Sequence, residues 1–137
     1  MTTGIDPALD TLFQHALTAA QRSYSPYSGF KVGSAIRLAS GEIVTGTNVE
    51  NVSYGLTICA EAAAVARAFA EFGPTIRIRA VAVTNLNHAP SPPCGACRQI
   101  LSEFIAPDAP VAFPAAEGMC TLPFSELLPL AFHMKAR

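Results

Sequence analysis

The sequence predicts an α/β protein, a three-layer α/β/α sandwich on a mixed five-stranded sheet, formed by one domain spanning residues 1–137. Three observations lead there. Segments of helix period and strand period follow one another in the order α, β, β, α, β, α, β, β, α, which layers helices on a sheet that is partly hairpin and partly crossover. Hydrophobic residues make up 50% of the chain and charged ones 14%, enough for a real core and for apolar surface that an oligomer would cover. Both stretches that carry paired or near-paired functional side chains begin where a loop enters a helix, the usual place for a site in such a sheet.

Asp6-Pro7 starts the first helix, an N-cap acceptor followed by a proline whose missing N–H costs nothing there. Leu9, Leu12, Phe13, Ala16, Leu17 and Ala20 then form one apolar face, ending near Ser23. His15 lies inside this helix, away from other ligand types, and reads as a surface or packing histidine. Residues 24–29 form a loop by their proline, glycine and serines. Residues 30–38 follow as a strand with Phe30, Val32, Ile36 and Leu38 facing the core. Ser40-Gly41-Glu42 turns the chain and Ile43-Val44-Thr45 returns as the second arm of a hairpin.

Residues 47–55 are polar, irregular and longer than a connection requires; their grammar alone is that of a solvated loop. The alanine-rich run 59–72, stopped by Gly73-Pro74, is apolar on nearly all sides, a helix for the interior or for a partner surface. β-Branched residues mark 76–84 as a central strand, with Arg77 and Arg79 on one side. His88 falls in a solvent-facing loop, and residues 94–104 form a third helix ended by Pro107. Residues 111–113 and 119–122 are short strands joined through Glu117-Gly118, and 123–128 a last helical turn or two.

Net charge is −1, and the nine lysines and arginines are scattered, which argues against a nucleic-acid backbone as partner. The first residues lack the basic, apolar, small-residue pattern of a secretory signal, and no apolar run reaches membrane-spanning length. The expected setting is cytoplasmic, where clustered cysteines signal metal or catalysis more often than disulfides.

Thr57-Ile58-Cys59-Ala60-Glu61 and Ser91-Pro92-Pro93-Cys94-Gly95-Ala96-Cys97-Arg98-Gln99 hold three of the four cysteines and one carboxylate. Cys94 and Cys97 stand three apart, so at a helix start both sulfurs project to one side and can grip one metal. Cys59 offers a third thiolate, and it can share a centre with Glu61 only if it lies at the helix mouth. Three ligands leave the fourth position of a tetrahedral zinc for water, which zinc acidifies, with Glu61 as proton carrier and not ligand. The bland alternative is a structural site with Cys120 as fourth sulfur. Against it, Cys120 has no cysteine at ligand spacing, sits in an apolar run suited to a buried thiol, and leaves Glu61 without a task.

These motifs, with Tyr24-Ser25-Pro26-Tyr27-Ser28-Gly29-Phe30-Lys31-Val32-Gly33, Asn48-Val49-Glu50-Asn51 and Leu127-Leu128-Pro129-Leu130-Ala131-Phe132, make the chain resemble the small, homotetrameric cytidine deaminases over almost its full length. The resemblance implies a cytidine deaminase-like fold, one zinc per subunit held by Cys59, Cys94 and Cys97, and Glu61 as catalytic acid/base. It further implies that Asn48 and Glu50 bind the sugar hydroxyls and that Phe30 lies beside the nucleoside. Backbone groups around Ala60 would hold the base, and Tyr54 and Phe132 would work across subunit contacts. The implied reaction turns cytidine or deoxycytidine into uridine or deoxyuridine with release of ammonia, a step of pyrimidine salvage.

Other readings remain beside it. A deaminase of a blasticidin-type nucleoside uses the same centre, although the intact Asn48-Val49-Glu50-Asn51 favours ordinary nucleosides. A nucleic-acid editing enzyme lacks its basic surface here, and a non-catalytic zinc module is the third alternative. The chain departs from the commonest family pattern at Ala62, where arginine usually follows the glutamate and offsets thiolate charge. Helix N-termini are expected to replace it, with Arg98 as a further candidate donor to the sulfurs.

Overall fold

The structure, a computed structural model, describes residues 2–3 and 7–136. Asp6, the expected cap of the first helix, lies outside the described residues. In chain order the elements are β1 (Thr2–Thr3), α1 (Pro7–Ala20), β2 (Val32–Leu38), β3 (Ile43–Thr47), α2 (Ala60–Phe72), β4 (Ile78–Asn85), α3 (Gly95–Ser102), β5 (Pro110–Ala115), β6 (Gly118–Pro123) and α4 (Phe124–Leu127). From α1 onward this is the order expected. The strands lie as β1-β6-β5-β4-β2-β3; β4 and β5 run parallel and the other neighbours antiparallel. The mixed sheet of five strands is therefore present, and Thr2–Thr3 adds a sixth at the outer edge by pairing with Thr121 and Cys120. Two residues carry no period, so nothing local announces such a strand.

Alternation along the strands sorts the core into two layers. Ala35, Ala80, Ala82 and Ala112 face α1, whose Leu9, Leu12 and Ala16 cover them. The opposite face presents Ile36, Val44, Val81, Val83, Val111 and Phe113 to Ala64, Val65 and Ala68 of α2 and Leu101 of α3. Small residues on one face and branched ones on the other set how near each helix comes.

Two glycines show how near. A Cβ at Gly33 would stand 2.0 Å from Ala16 O, and one at Gly46 would stand 2.4 Å from both Ala60 O and Ala64 N. Helix backbone thus rests directly on strand backbone at both points, and the Gly46 contact seats the first turn of α2.

Some expectations shift. Strand β2 begins at Val32, two residues after the predicted start, and Phe30 belongs to the loop before it. Helix α2 buries Ala60, Glu61, Ala64, Val65 and Ala68, while Ala66, Arg67, Ala70, Glu71 and Phe72 remain exposed, so within this chain the helix is one-sided.

Candidate active site

Cys59 and Cys94 both occupy N-cap positions, of α2 and α3 respectively, in extended conformation. Neither needs a helical φ/ψ, so each side chain can turn back across the mouth of its helix. Cys94 Sγ accepts from the Cys97 N–H at 3.4 Å, a cap made by sulfur where an oxygen is customary. Cys59 Sγ lies 4.0 Å from Cys94 Sγ, and all three sulfurs of Cys59, Cys94 and Cys97 fall within 4.8 Å of one another. A tetrahedral zinc with Zn–S bonds of about 2.3 Å sets its sulfurs about 3.8 Å apart, so the three residues fit that ion in donor type and spacing. Cys120 is buried in the core with Phe113 and Val111 and is absent from this cluster, which removes the four-cysteine alternative.

Placing Cys59 at the helix mouth also resolves its convergence with Glu61. Glu61, 4% exposed, lines a cavity of about 170 Å³ with Cys59, Cys94, Ala60, Phe30, Val32, Val83, Ser91 and Pro92. Burial pushes the Glu61 carboxyl up to about 7, and negative charge at Cys59 adds to the rise. The hydrogen-bonded contact with Cys97 holds the Cys59 thiol down at about 6, and the same contact pushes Cys97 up. Two helix N-termini meet at the cluster and favour thiolate there.

Arg98 does not serve the sulfurs, contrary to the expectation for it. Its Nε donates to Pro93 O at 2.8 Å and its Nη1 to Leu127 O at 2.9 Å, so the guanidinium braces the chain just before Cys94 against the end of α4. Ala62 is half-buried on α2. The Cys97 N–H is the donor found on a sulfur at the place where charge must be offset.

The polar loop is far from bland. Asn48 and Glu50 are both buried. Asn48 Oδ1 accepts from the Val32 N–H at 3.0 Å and from Ser23 Oγ, and its Nδ2 donates to Phe30 O at 2.8 Å. One Nδ2 hydrogen is left for a ligand. Glu50 Oε1 accepts from the Tyr27 and Ser28 N–H groups at 3.0 and 3.2 Å, and Oε2 accepts from Ser28 Oγ. The Ser28 hydroxyl holds this carboxyl below its ordinary value, which keeps it an anionic acceptor.

Of the residues singled out from sequence, Cys59, Cys94, Glu61, Ala60 and Phe30 line one cavity, and buried Cys97 joins Cys59 and Cys94 in the sulfur cluster without lining it. Asn48 and Glu50 are not in the lining: Asn48 is bonded to the Phe30 carbonyl and Glu50 to Ser28, two residues before Phe30. Tyr54 and Phe132, 61% and 71% exposed, lie outside that lining. Val32 and Val83, read from sequence only as strand residues, also line the cavity, as do Ser91 and Pro92, which open the second cysteine window without a role assigned from sequence.

Residues 7–112 match the model of the cytidine and deoxycytidylate deaminase zinc-binding region. A cytidine deaminase of Halalkalibacterium halodurans is 41% identical over 122 residues, covering 88% of this chain and 91% of that protein. One from Mycobacterium tuberculosis is 41% identical over 120 residues, covering 88% and 86%. The crystal structure of cytidine deaminase from Mycobacterium tuberculosis superposes with TM-score 0.80 at 38% identity, covering 94% of this chain and 100% of that one. A Blasticidin-S deaminase of Bacillus cereus is 30% identical over 107 residues, covering 74% and 76%.

Proposed function

The chain belongs to the cytidine and deoxycytidylate deaminase zinc-binding family, and on that premise we propose that it hydrolyses cytidine and deoxycytidine to uridine and deoxyuridine with release of ammonia. The observation that carries the reading is a cluster of three sulfurs at zinc spacing, two of which line a single cavity with one buried carboxyl. Bound by Cys59, Cys94 and Cys97, zinc supplies a Lewis acid that makes water a nucleophile near neutral pH.

Glu61 does the proton work. Its carboxylate accepts a proton from the attacking water and passes it to ring N3, which makes C4 electrophilic; it then moves the second proton to the exocyclic amine, which leaves as ammonia. A carboxyl raised by burial suits this, because it can both take and give a proton near neutrality. Phe30 stacks beside the ring and backbone groups at Ala60 hold it. Asn48 offers its remaining amide hydrogen, and Glu50 its anionic oxygens, to the sugar hydroxyls.

Residues 1–137 act as one domain, and the assembly is a homotetramer whose pockets are shared between subunits. Exposed Val52, Tyr54, Leu56 and Ile58 beside the site, with Leu130, Phe132 and Met134 in the last residues, support this: they are apolar surface for a neighbour to cover. Tyr54 and Phe132 then complete a neighbouring pocket. Among the described residues no helix is long and apolar enough to cross a membrane, and a cytoplasmic role in pyrimidine salvage accords with that.

The test is loss of substrate absorbance on mixing zinc-loaded protein with cytidine, deoxycytidine, blasticidin S and a cytosine-containing oligonucleotide. Turnover of the first two supports the reading. Turnover of blasticidin S alone, or of none, overturns it.

A further inference from the structure

Two asparagines, Asn85 at the end of β4 and Asn87 in the loop after it, outside every role assigned above, join the opposite walls of the cavity. One wall is Phe30 with Val32; the other is Ser91 with Pro92. Asn87 reaches the first. Its Oδ1 accepts from the Lys31 N–H at 3.0 Å and its Nδ2 donates to Gly29 O at 3.1 Å, so one carboxamide grips the backbone on both sides of Phe30. The Leu86 N–H donates to Lys31 O at 3.0 Å and extends the attachment. Gly29 stands at φ 70, a conformation that side chains with a Cβ rarely adopt, so the grip closes on a tight bend.

Asn85, the last residue of β4 and 6% exposed, serves the second wall. Its Nδ2 donates to Ser91 Oγ and to Ala89 O, each at 2.8 Å. Its Oδ1 accepts from the Asn87 N–H at 2.9 Å and the Ala89 N–H at 3.3 Å. Both amide hydrogens and both acceptor positions are engaged, so the group is fully satisfied, and replacing it leaves buried partners bare. Asn85 thereby sets Asn87, and Asn87 sets Phe30.

Asparagines in loops often do no more than stabilise a local turn, and the bond from the Asn87 N–H to Asn85 Oδ1 is of that kind. The bonds from Asn87 to Lys31 and Gly29 span 56 and 58 residues and are not. We propose that Asn85 and Asn87 are positioning residues that set the separation between the Phe30 wall and the Ser91-Pro92 wall, and so select the flat heterocycle the cavity accepts. This rests on the reading of the cavity as the base pocket. Asn48 holds Phe30 O on one side while Asn87 holds its two neighbours, which leaves the Phe30 backbone little freedom.

Asn87 is exposed, so Asn87→Ala should fold. Loss of two hydrogen bonds to a wall that binds substrate predicts a KM for cytidine about tenfold higher, with kcat within about twofold of wild type. Zinc content should be unchanged and amide hydrogen exchange at residues 29–32 faster. Asn87→Asp keeps the acceptor for the Lys31 N–H and should give an intermediate KM. An unchanged KM, a fall in kcat alone, or loss of zinc in Asn87→Ala overturns the proposal. The exchange measurement is independent of turnover: unchanged protection at 29–32 overturns the clamp even in a protein that does not act on cytidine, whereas wild-type inactivity toward cytidine counts against the functional reading alone.

Discussion

The mouths of α2 and α3 open on the same cavity but are held there by different forces. The α2 mouth is seated by contact: Ala60 and Ala64 backbone atoms lie against Gly46 with no room for a methyl group, and Ala60 and Glu61 are buried. The α3 mouth is held by directional bonds. Arg98 braces Pro93 O, Asn85 holds Ser91, and Cys94 itself is exposed. Close packing is bistable and hydrogen bonds are lost one at a time, so the first mouth should fail abruptly and the second by degrees. Glu61, the carboxylate proposed to transfer protons, stands on the abrupt one.

Glu61→Gln should have the largest effect. An amide cannot shuttle the proton, so kcat should fall by about a thousandfold or more while zinc content and thermal midpoint hold. Substantial turnover at full zinc occupancy would move the chemistry off the α2 mouth.

Gly46→Ala tests contact seating directly. Its Cβ would stand 2.4 Å from helix backbone, and backbone cannot yield as a side-chain tip can. Overpacking of this kind costs about 2–3 kcal/mol, read as a lower urea midpoint, and should lower kcat by displacing Glu61. Wild-type stability in this variant would mean that α2 is not seated there.

Arg98→Ala should be milder. It leaves Pro93 O and Leu127 O without their donor and should cost about 1–2 kcal/mol, with Arg98→Lys restoring part. If Arg98→Ala instead destabilised as much as Gly46→Ala, the contrast between the two mouths would disappear.

The smallest effect concerns the contact between Ser28 and Glu50. Glu50 titrates below its ordinary value of 4.5 because of the Ser28 hydroxyl, so its folded-state pKa is depressed. The stability it contributes is present above 4.5 and disappears as pH falls through the lower, folded value. The difference in urea midpoint between wild type and Glu50→Gln should therefore be constant from neutral pH down to about 5 and close below that. A difference that stayed constant to pH 3 would show that the charge of Glu50 contributes nothing.

Much of the centre was legible because its grammar is local. Cys94 and Cys97 stand one helical turn apart, and the need for Cys59 to sit at a helix mouth follows from its two-residue spacing to Glu61. Arg98 was misjudged because adjacency to Cys97 in sequence suggested a sulfur partner, whereas its side chain finds a carbonyl 29 residues away. The loop that carries Asn48 and Glu50 read as solvated from composition, and only the resemblance to deaminases gave it a role. Asn48 and Glu50 are buried with their polar groups satisfied because Ser23, Ser28 and the backbone at Tyr27 and Val32 supply partners from outside the loop.

By itself the sequence determined the kinds of elements, their order and the residues of the centre, since hydrophobic period, caps and ligand spacing act over a few residues. Tertiary structure alone decided the strand order that brings β2 between β4 and β3, the sixth strand of two residues, and the contacts that demand glycine at 33 and 46. It also decided the partners of Asn85, Asn87 and Arg98. The physical reason is common to all of these: each is a short-range force between residues that only the folded chain brings within range, and no local period encodes which distant carbonyl or helix backbone will be there.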